Sequence, residues 1–384
     1  MVRGARRLPQ GRGRTTAKAL CLAALVLGLV SGLSVTLFYR HLNGNLRVEE
    51  IGEQLGPDRP DMPAVEGPHR PLNILVMGSD SREGAGNGID DASGGGSDTT
   101  ILVHLSADRR SAYGISIPRD SLVDRPDCYT EDGDTIPGQQ GAIWNAAFSV
   151  GGAACTQRQL EQTTGVRVDN YVVVDFNGFK DMVNAVGGVE VCVPRELHSD
   201  KGDITIPAGV HTLRDQQALD YIRIRYGVGD GTDLGRIKRQ QAFIAALAHK
   251  VMEKGTLARV DRLVRFLDAA TGSLTTDIDS VKDLAEIGLQ VKDLGESRIR
   301  FITVPNRLSP TEEGRVEWLP EAELLWERIR HDEPLGSFRD GSIGVGDVAT
   351  TPPAGGDPVP DPTGDPSSGV GADPDELDDA GLCT

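Results

Sequence analysis

Hydrophobic and polar positions divide this chain into one long apolar run and many short ones. Residues 19–38, ALCLAALVLGLVSGLSVTLF, contain no charged residue. Twenty residues of helix span about 30 Å, the thickness of a bilayer's hydrocarbon core. A cleaved signal peptide has a shorter apolar core and a small-x-small cleavage site. The run ends on Thr36, Leu37, Phe38 and Tyr39, so it reads as an uncleaved transmembrane anchor. Beyond it the apolar runs are short and turn-bounded: NILVMG (Asn73–Gly78), TTILVHLSA (Thr99–Ala107), AYGISIP (Ala112–Pro118) and YVVVDF (Tyr171–Phe176). Each has the length of a buried strand. NGFKDMVNAVGG predicts a helix stopped by glycine, with a strand following in VEVCVP. Ile237, Ile244, Leu247 and Val251 recur at helical spacing. Residues 257–295 read as mostly helical, RIRFITVP as a strand and Glu321–Arg330 as a final helix. Alternating strands and helices predict an α/β fold, a layered αβα domain whose central mixed β-sheet is flanked by helices.

The chain then divides into a basic cytoplasmic tail (1–18), the transmembrane helix (19–38), a Pro-bearing stalk (39–71), a folded domain (72–334) and a disordered Gly/Pro/Asp-rich tail (335–384). Charge supports this division. The first eighteen residues carry Arg3, Arg6, Arg7, Arg12, Arg14 and Lys18 without an acid, whereas nothing basic follows Arg339. A basic flank is retained inside, which puts everything after Tyr39 outside the cell membrane. A net charge of -17 excludes a sequence-independent grip on nucleic acid.

Cys128 and Cys155 lie in polar, irregular stretches and read as a disulfide formed in an oxidising compartment. Cys192, inside VEVCVP, reads as a buried thiol. No CxxC or Cys/His spacing points to zinc.

Three loops at strand ends hold the informative polar groups: GSDSR (Gly78–Arg82), GGGSDTT (Gly94–Thr100) and IPRD (Ile117–Asp120). Ligands of open α/β sheets collect at such ends. Asp80 and Asp98 could face one another there and hold a hard divalent cation; taken alone, each reads as a turn residue. The segment YIRIRYGVGDGTDLGRIKRQQ (Tyr221–Gln241) adds an unexpected density of positive charge to an acidic protein. If Ile222–Tyr226 is extended, Arg223 and Arg225 project to one side. Asp233 then takes an N-cap position, and Arg236 and Gln240 share a face of the next helix. Lys238 and Arg239 read equally as a solvated helix face. Arginine in such a cluster points to phosphate, whose oxygens it grips through paired bonds.

GSDSR, SDTTILVHL, ISIPRDS, WNAAFSVGG, YVVVDFNGFKDMVNAVGGVEVCVP and RIRYGVGDGTDLGRIKRQQ resemble, in order and spacing, the LytR-CpsA-Psr family of bacterial cell-wall enzymes. The resemblance covers roughly residues 72–330. It implies a membrane-anchored, outward-facing α/β domain that moves an anionic glycopolymer from a polyprenyl-pyrophosphate carrier to peptidoglycan. It also implies Mg²⁺, with Mn²⁺ able to replace it, on Asp80 and Asp98. Arg119, Arg223, Arg225, Arg236 and Gln240 would contact pyrophosphate, Asp233 would orient the arginines, and Arg82 would lie near the phosphates. Many members carry arginine just before Ser-Asp-Thr, where this sequence has Gly96; either one phosphate contact is missing or Arg82 supplies it. Asp98 and Asp120 are both candidates for a general base. The rival expectation is a non-catalytic polyprenyl-phosphate binder acting as a scaffold or an envelope-stress regulator.

Overall fold

The computed structural model describes residues 12–63, 67, 69–79, 96–194, 196–199, 204–224, 233–253 and 259–347; at residues 12–16 and at Asp233 it describes the backbone alone. Asp80, Arg82 and Arg225 therefore lie outside the described residues. The chain divides into two units at Asn45.

The first unit is helix α1 (Arg12–Asn45). Its stretch Ala17–Asn45 is long and apolar enough to cross a membrane. Leu22, Leu25, Leu29 and Leu33 are all exposed, the surface that a lipid phase rather than water accommodates.

Among its described residues the second unit is built on an eight-stranded mixed sheet. Its strands are β1 (Arg47–Val48), β2 (Leu72–Ser79), β3 (Ser97–Leu105), β4 (Ala112–Ile117), β5 (Asn170–Val174), β6 (Leu274–Thr276), β7 (Ile299–Thr303) and β8 (Ile343–Gly344). They lie in the order β1-β6-β5-β2-β3-β4-β7-β8. β3 runs antiparallel to its neighbours β2 and β4, whereas β5 joins β2 and β7 joins β4 in parallel. The helices are α2 (Ala146–Thr164), α3 (Phe176–Ala185), α4 (Asp215–Arg223), α5 (Asp233–Met252), α6 (Val260–Ser273), α7 (Val281–Leu294) and α8 (Glu321–Arg330).

Both faces of the central strands are buried, which is why their sequences are nearly continuous apolar runs. Leu75, Met77, Leu102, Ile115 and Ile302 pack against Leu160 of α2 and Leu325, Trp326 and Ile329 of α8. On the opposite face Leu105, Ala112, Ile299 and Phe301 pack with Ala245 of α5 and Leu294 of α7. A further core joins α3, α4 and α5 through Val183, Tyr221 and Phe243 to the antiparallel ladder Val189–Val193/Gly209–Leu213. The VEVCVP strand thus forms, but outside the main sheet.

Four sequence expectations need correction. The stretch Ile222–Tyr226 does not begin as a strand: α4 continues to Arg223, because Ala218, Leu219 and Tyr221 are buried at helical spacing. Tertiary burial overrides the Ile/Arg alternation. Much of the supposed stalk, 39–71, belongs to the domain. β1 pairs with β6, Ile51 and Leu55 enter the main core, and Arg59 makes a two-pronged ion pair with buried Glu161 (2.8 and 2.6 Å). The tail does not begin at 335 either. Leu335 and Val345 are buried and β8 pairs with β7; the described chain ends at Asp347. Finally, Cys192 is buried but disulfide-bonded, with its partner outside the described residues. An apolar flank reports burial and is silent about sulfur pairing.

Candidate phosphate-binding site

The sheet register brings the polar loops together. Gly78 at the end of β2 pairs with both Thr99 and Val174, and Thr100 pairs with Ile117. The end of β2, the start of β3, the end of β4 and the β5–α3 junction therefore share one edge of the sheet. Ser79, the last described residue before Asp80, pairs with Ser97, the neighbour of Asp98.

Asp98 is the centre of the described cluster. Arg119, from the turn after β4, donates through Nη1 to Asp98 Oδ1. Arg236, on the first turn of α5 and only 2% exposed, reaches the Asp98 backbone carbonyl with Nη2 at 3.4 Å. Arg223 ends α4 and lies over the Phe176 ring, 4.3 Å from its centroid. That cation–π contact sets the arginine at the mouth of the β5–α3 junction. Burial pushes the Asp98 carboxyl up, but Arg236, Arg119 and Arg223 outweigh it, and the group is held below the ordinary carboxylate range. Asp98 is thus an ionised carboxylate among three guanidinium groups.

Helix α5 fixes this cluster from beneath. Arg239, expected equally on a solvated face, is 1% exposed and donates to the carbonyl of Ile224. Gln240 Nε2 donates to the carbonyl of Ile222 at 3.1 Å. Together they hold the C-terminal end of α4, and with it Arg223. Gln241 Nε2 bonds Ser116 Oγ (2.9 Å) and Thr303 Oγ1 (3.0 Å), which binds α5 to β4 and β7. These anchoring roles were not legible in the sequence, since the partners are backbone carbonyls and distant hydroxyls.

Asn145, within WNAAFSVGG and not marked out by any sequence signal, accepts through Oδ1 from the Ser97 backbone N–H (2.7 Å) at the entry to β3. A Cβ at Gly96 would lie 2.6 Å from Asn145 Nδ2. Glycine before Ser-Asp-Thr is thus the counterpart of an asparagine occupying the space beside it. Cys128 and Cys155 are joined by a disulfide, tying the loop after β4 to α2.

Among the described residues no group of three or more His, Cys, Asp or Glu could hold a metal ion. Mg²⁺ needs less: one or two carboxylates, with water and phosphate oxygens completing its shell. An ionised Asp98, 15% exposed by side chain and next to the start of the β2–β3 connection, fits one such ligand.

Residues 38–327 match the LytR_cpsA_psr family. The chain belongs to that family. Among LytR-CpsA-Psr relatives, the cell wall biosynthesis protein LcpA of Corynebacterium glutamicum is 32% identical over 61% of this chain and 49% of its own length. The polyisoprenyl-teichoic acid–peptidoglycan teichoic acid transferase TagV of Bacillus subtilis is 30% identical over 70% of this chain and 65% of its own. The crystal structure of B. subtilis TagV superposes with a TM-score of 0.53 at 26% identity, covering 70% of this chain and all of that one. The chain spans about half the length of the first of these curated relatives and just under two thirds of the second. Such LytR-CpsA-Psr neighbours share the mixed sheet flanked by helices.

Proposed function

We propose that this protein transfers an anionic glycopolymer from a polyprenyl-pyrophosphate carrier to peptidoglycan. The observation carrying this reading is the convergence of Arg119, Arg223 and Arg236 on Asp98 at the sheet edge. Family membership suggests the substrate class, and the guanidinium cluster about Asp98 has the chemistry to pair with phosphate oxygens.

Phosphoryl transfer spreads negative charge over non-bridging oxygens, and catalysis is mainly positioning and charge neutralisation. The arginines would grip the pyrophosphate and hold the sugar-linked phosphorus in line with a muramic-acid hydroxyl. A bond forms between that hydroxyl oxygen and phosphorus; the bond to the lipid phosphate breaks; polyprenyl phosphate leaves, and the hydroxyl proton is lost. Mg²⁺, held by Asp98 with Asp80, would add positive charge on the phosphate oxygens when bound. Asp98 suits that task better than proton abstraction, because a carboxylate held below its usual range is a weak base. Arg82, Arg225 and Asp233 remain candidates carried by the family resemblance. The basic flank of α1 favours a single-pass arrangement in the cell membrane with the α/β domain outside.

Full-length protein in detergent micelles, given a lipid-linked glycopolymer, peptidoglycan and Mg²⁺, is expected to release polyprenyl phosphate and make polymer-bearing peptidoglycan. Tight binding of the lipid with no release under any divalent ion would instead establish a non-catalytic scaffold or envelope-stress regulator.

A further inference from the structure

Asn145 stands between the two stretches of backbone that carry Asp98 and Arg119. Its own N–H donates to the Arg119 carbonyl (3.1 Å), and its Oδ1 accepts from the N–H of Ser97, one residue before Asp98 (2.7 Å). The segment is firmly held. Trp144 N–H donates to the Ser121 carbonyl (2.8 Å), Trp144 Nε1 to Thr100 Oγ1 (3.2 Å), and Gln159 Nε2 to the Trp144 carbonyl (3.1 Å). A side-chain amide fixed in this way has little freedom left to lose when a ligand meets it.

That amide has given up a more ordinary task. Asn145 is the residue before α2, a place where asparagine usually accepts from the first amides of the helix. It makes no such cap and turns to the start of β3 instead. A backbone N–H can only donate, so the atom facing Ser97 is the side-chain oxygen and the other is the NH2 group. Among the described residues nothing accepts from that Nδ2, and Asn145 is only half-buried. The nitrogen lies 2.6 Å from where a Cβ at residue 96 would sit. Glycine at 96 therefore leaves room for an amide donor at the cleft edge, beside the strand that presents Asp98.

We propose that Asn145 is a substrate-binding residue: its Nδ2 donates to a non-bridging oxygen of the lipid pyrophosphate. This inference rests on the transferase reading of the cleft. The guanidinium groups about Asp98 supply charge, and a fixed neutral amide supplies direction at one oxygen. A hydrogen bond to an ionised acceptor is stronger than one between neutral groups. Position 96 and the Asn145 amide compete for one space, so a cation introduced at 96 can take over the contact once the amide is removed. An asparagine that merely tethered Ser97 could not be replaced in that way.

The test uses full-length protein in detergent micelles, with binding of geranylgeranyl pyrophosphate and turnover of a lipid-linked glycopolymer both measured. Asn145→Asp keeps an acceptor for Ser97 and removes the donor. It is expected to bind the pyrophosphate roughly tenfold more weakly, the scale of a hydrogen bond to a charged group. Asn145→Ala is expected to lose at least as much. Adding Gly96→Arg to Asn145→Ala puts a guanidinium into the vacated space and is expected to restore binding to within about threefold of wild type, since neighbours sharing one space do not act additively. Gly96→Arg alone, with the amide still in place, is expected to bring no gain. Wild-type binding in Asn145→Ala, or a double variant as weak as Asn145→Ala, overturns the proposal. So does a loss confined to the KM for peptidoglycan, which would assign the amide to the acceptor sugar. Should Asn145→Asp fail to fold, the alanine variant and its double decide. Arg119→Ala separates the two levels: if it binds pyrophosphate normally, the cleft reading itself fails, whatever Asn145 does.

Discussion

Arg119 and Asp98 meet directly, Nη1 on Oδ1, with only 23% and 15% of their side chains exposed. Each is the partner that makes the other tolerable in that position. Arg119→Ala is expected to abolish transfer while leaving the protein folded, because the remaining guanidinium groups still face Asp98. Circular dichroism and the turnover assay together check this.

Asp98 also sets a pH dependence. Its folded-state value lies below the ordinary one, so the pairing stabilises the fold fully above the ordinary carboxylate value of about 3.9. That contribution is lost as pH falls through the lower folded value. Asp98→Asn is expected to remove about 2 kcal/mol at pH 7, the scale of a charged hydrogen bond. It is also expected to flatten the decline of stability in acid. Urea unfolding at pH 7 and at pH 3 measures both effects; an equal loss at the two values would contradict the assignment.

At Gly96 the neighbouring asparagine controls what the backbone tolerates. A side chain there drives Asn145 off the Ser97 amide. Gly96→Arg is expected to cost about 1–2 kcal/mol through the lost hydrogen bond and crowding. With Asn145→Ala already in place, the same substitution should cost markedly less, as thermal melts of the single and double variants would reveal.

Gln241 joins a helix to two strands through one amide. Gln241→Leu strips Ser116 and Thr303 of a buried donor and is expected to lower stability by about 2 kcal/mol. Denaturant melts should show a lower midpoint at unchanged slope, since the surface exposed on unfolding stays the same.

The Cys128–Cys155 bridge spans 27 positions of sequence, and closing a loop of that size stabilises the fold by about 3.5 kcal/mol in the chain-entropy description. The Cys128→Ser/Cys155→Ser variant should melt at a lower temperature, and a reductant, which also opens the Cys192 bond, should lower the wild-type melt at least as far. A reductant that leaves the melt unchanged would show that the link carries no stability.

Much of this fold is written in short-range pattern. The runs at 73–78, 99–107 and 112–118 became β2, β3 and β4 because a strand buried on both faces needs apolar residues at nearly every position. Asp98, Arg119 and Arg236 were recognisable as candidates from their places beside strands and on a helix, and the sheet register brings them to one edge. Other features depend on partners far away in sequence. Arg223 alternates with isoleucines as a strand residue would, yet Tyr221 packing on Phe243 keeps it helical. Ile51 and Leu55 sit in a polar stretch and look like linker residues until the core receives them. Arg239 looks like a solvated helix position and Gln240 like a phosphate contact beside Arg236, whereas in the fold their side chains donate to the carbonyls of Ile224 and Ile222. The part outside short-range pattern is the part made by long-range contacts between side chains and backbone.

Among the described residues the main sheet is bounded at both margins by strands only two residues long, Arg47–Val48 and Ile343–Gly344. Each margin thus offers a neighbouring molecule scarcely any backbone to pair with. Crowded copies whose sheet margins touched would find no template for strand exchange. Brevity at the borders keeps such encounters reversible.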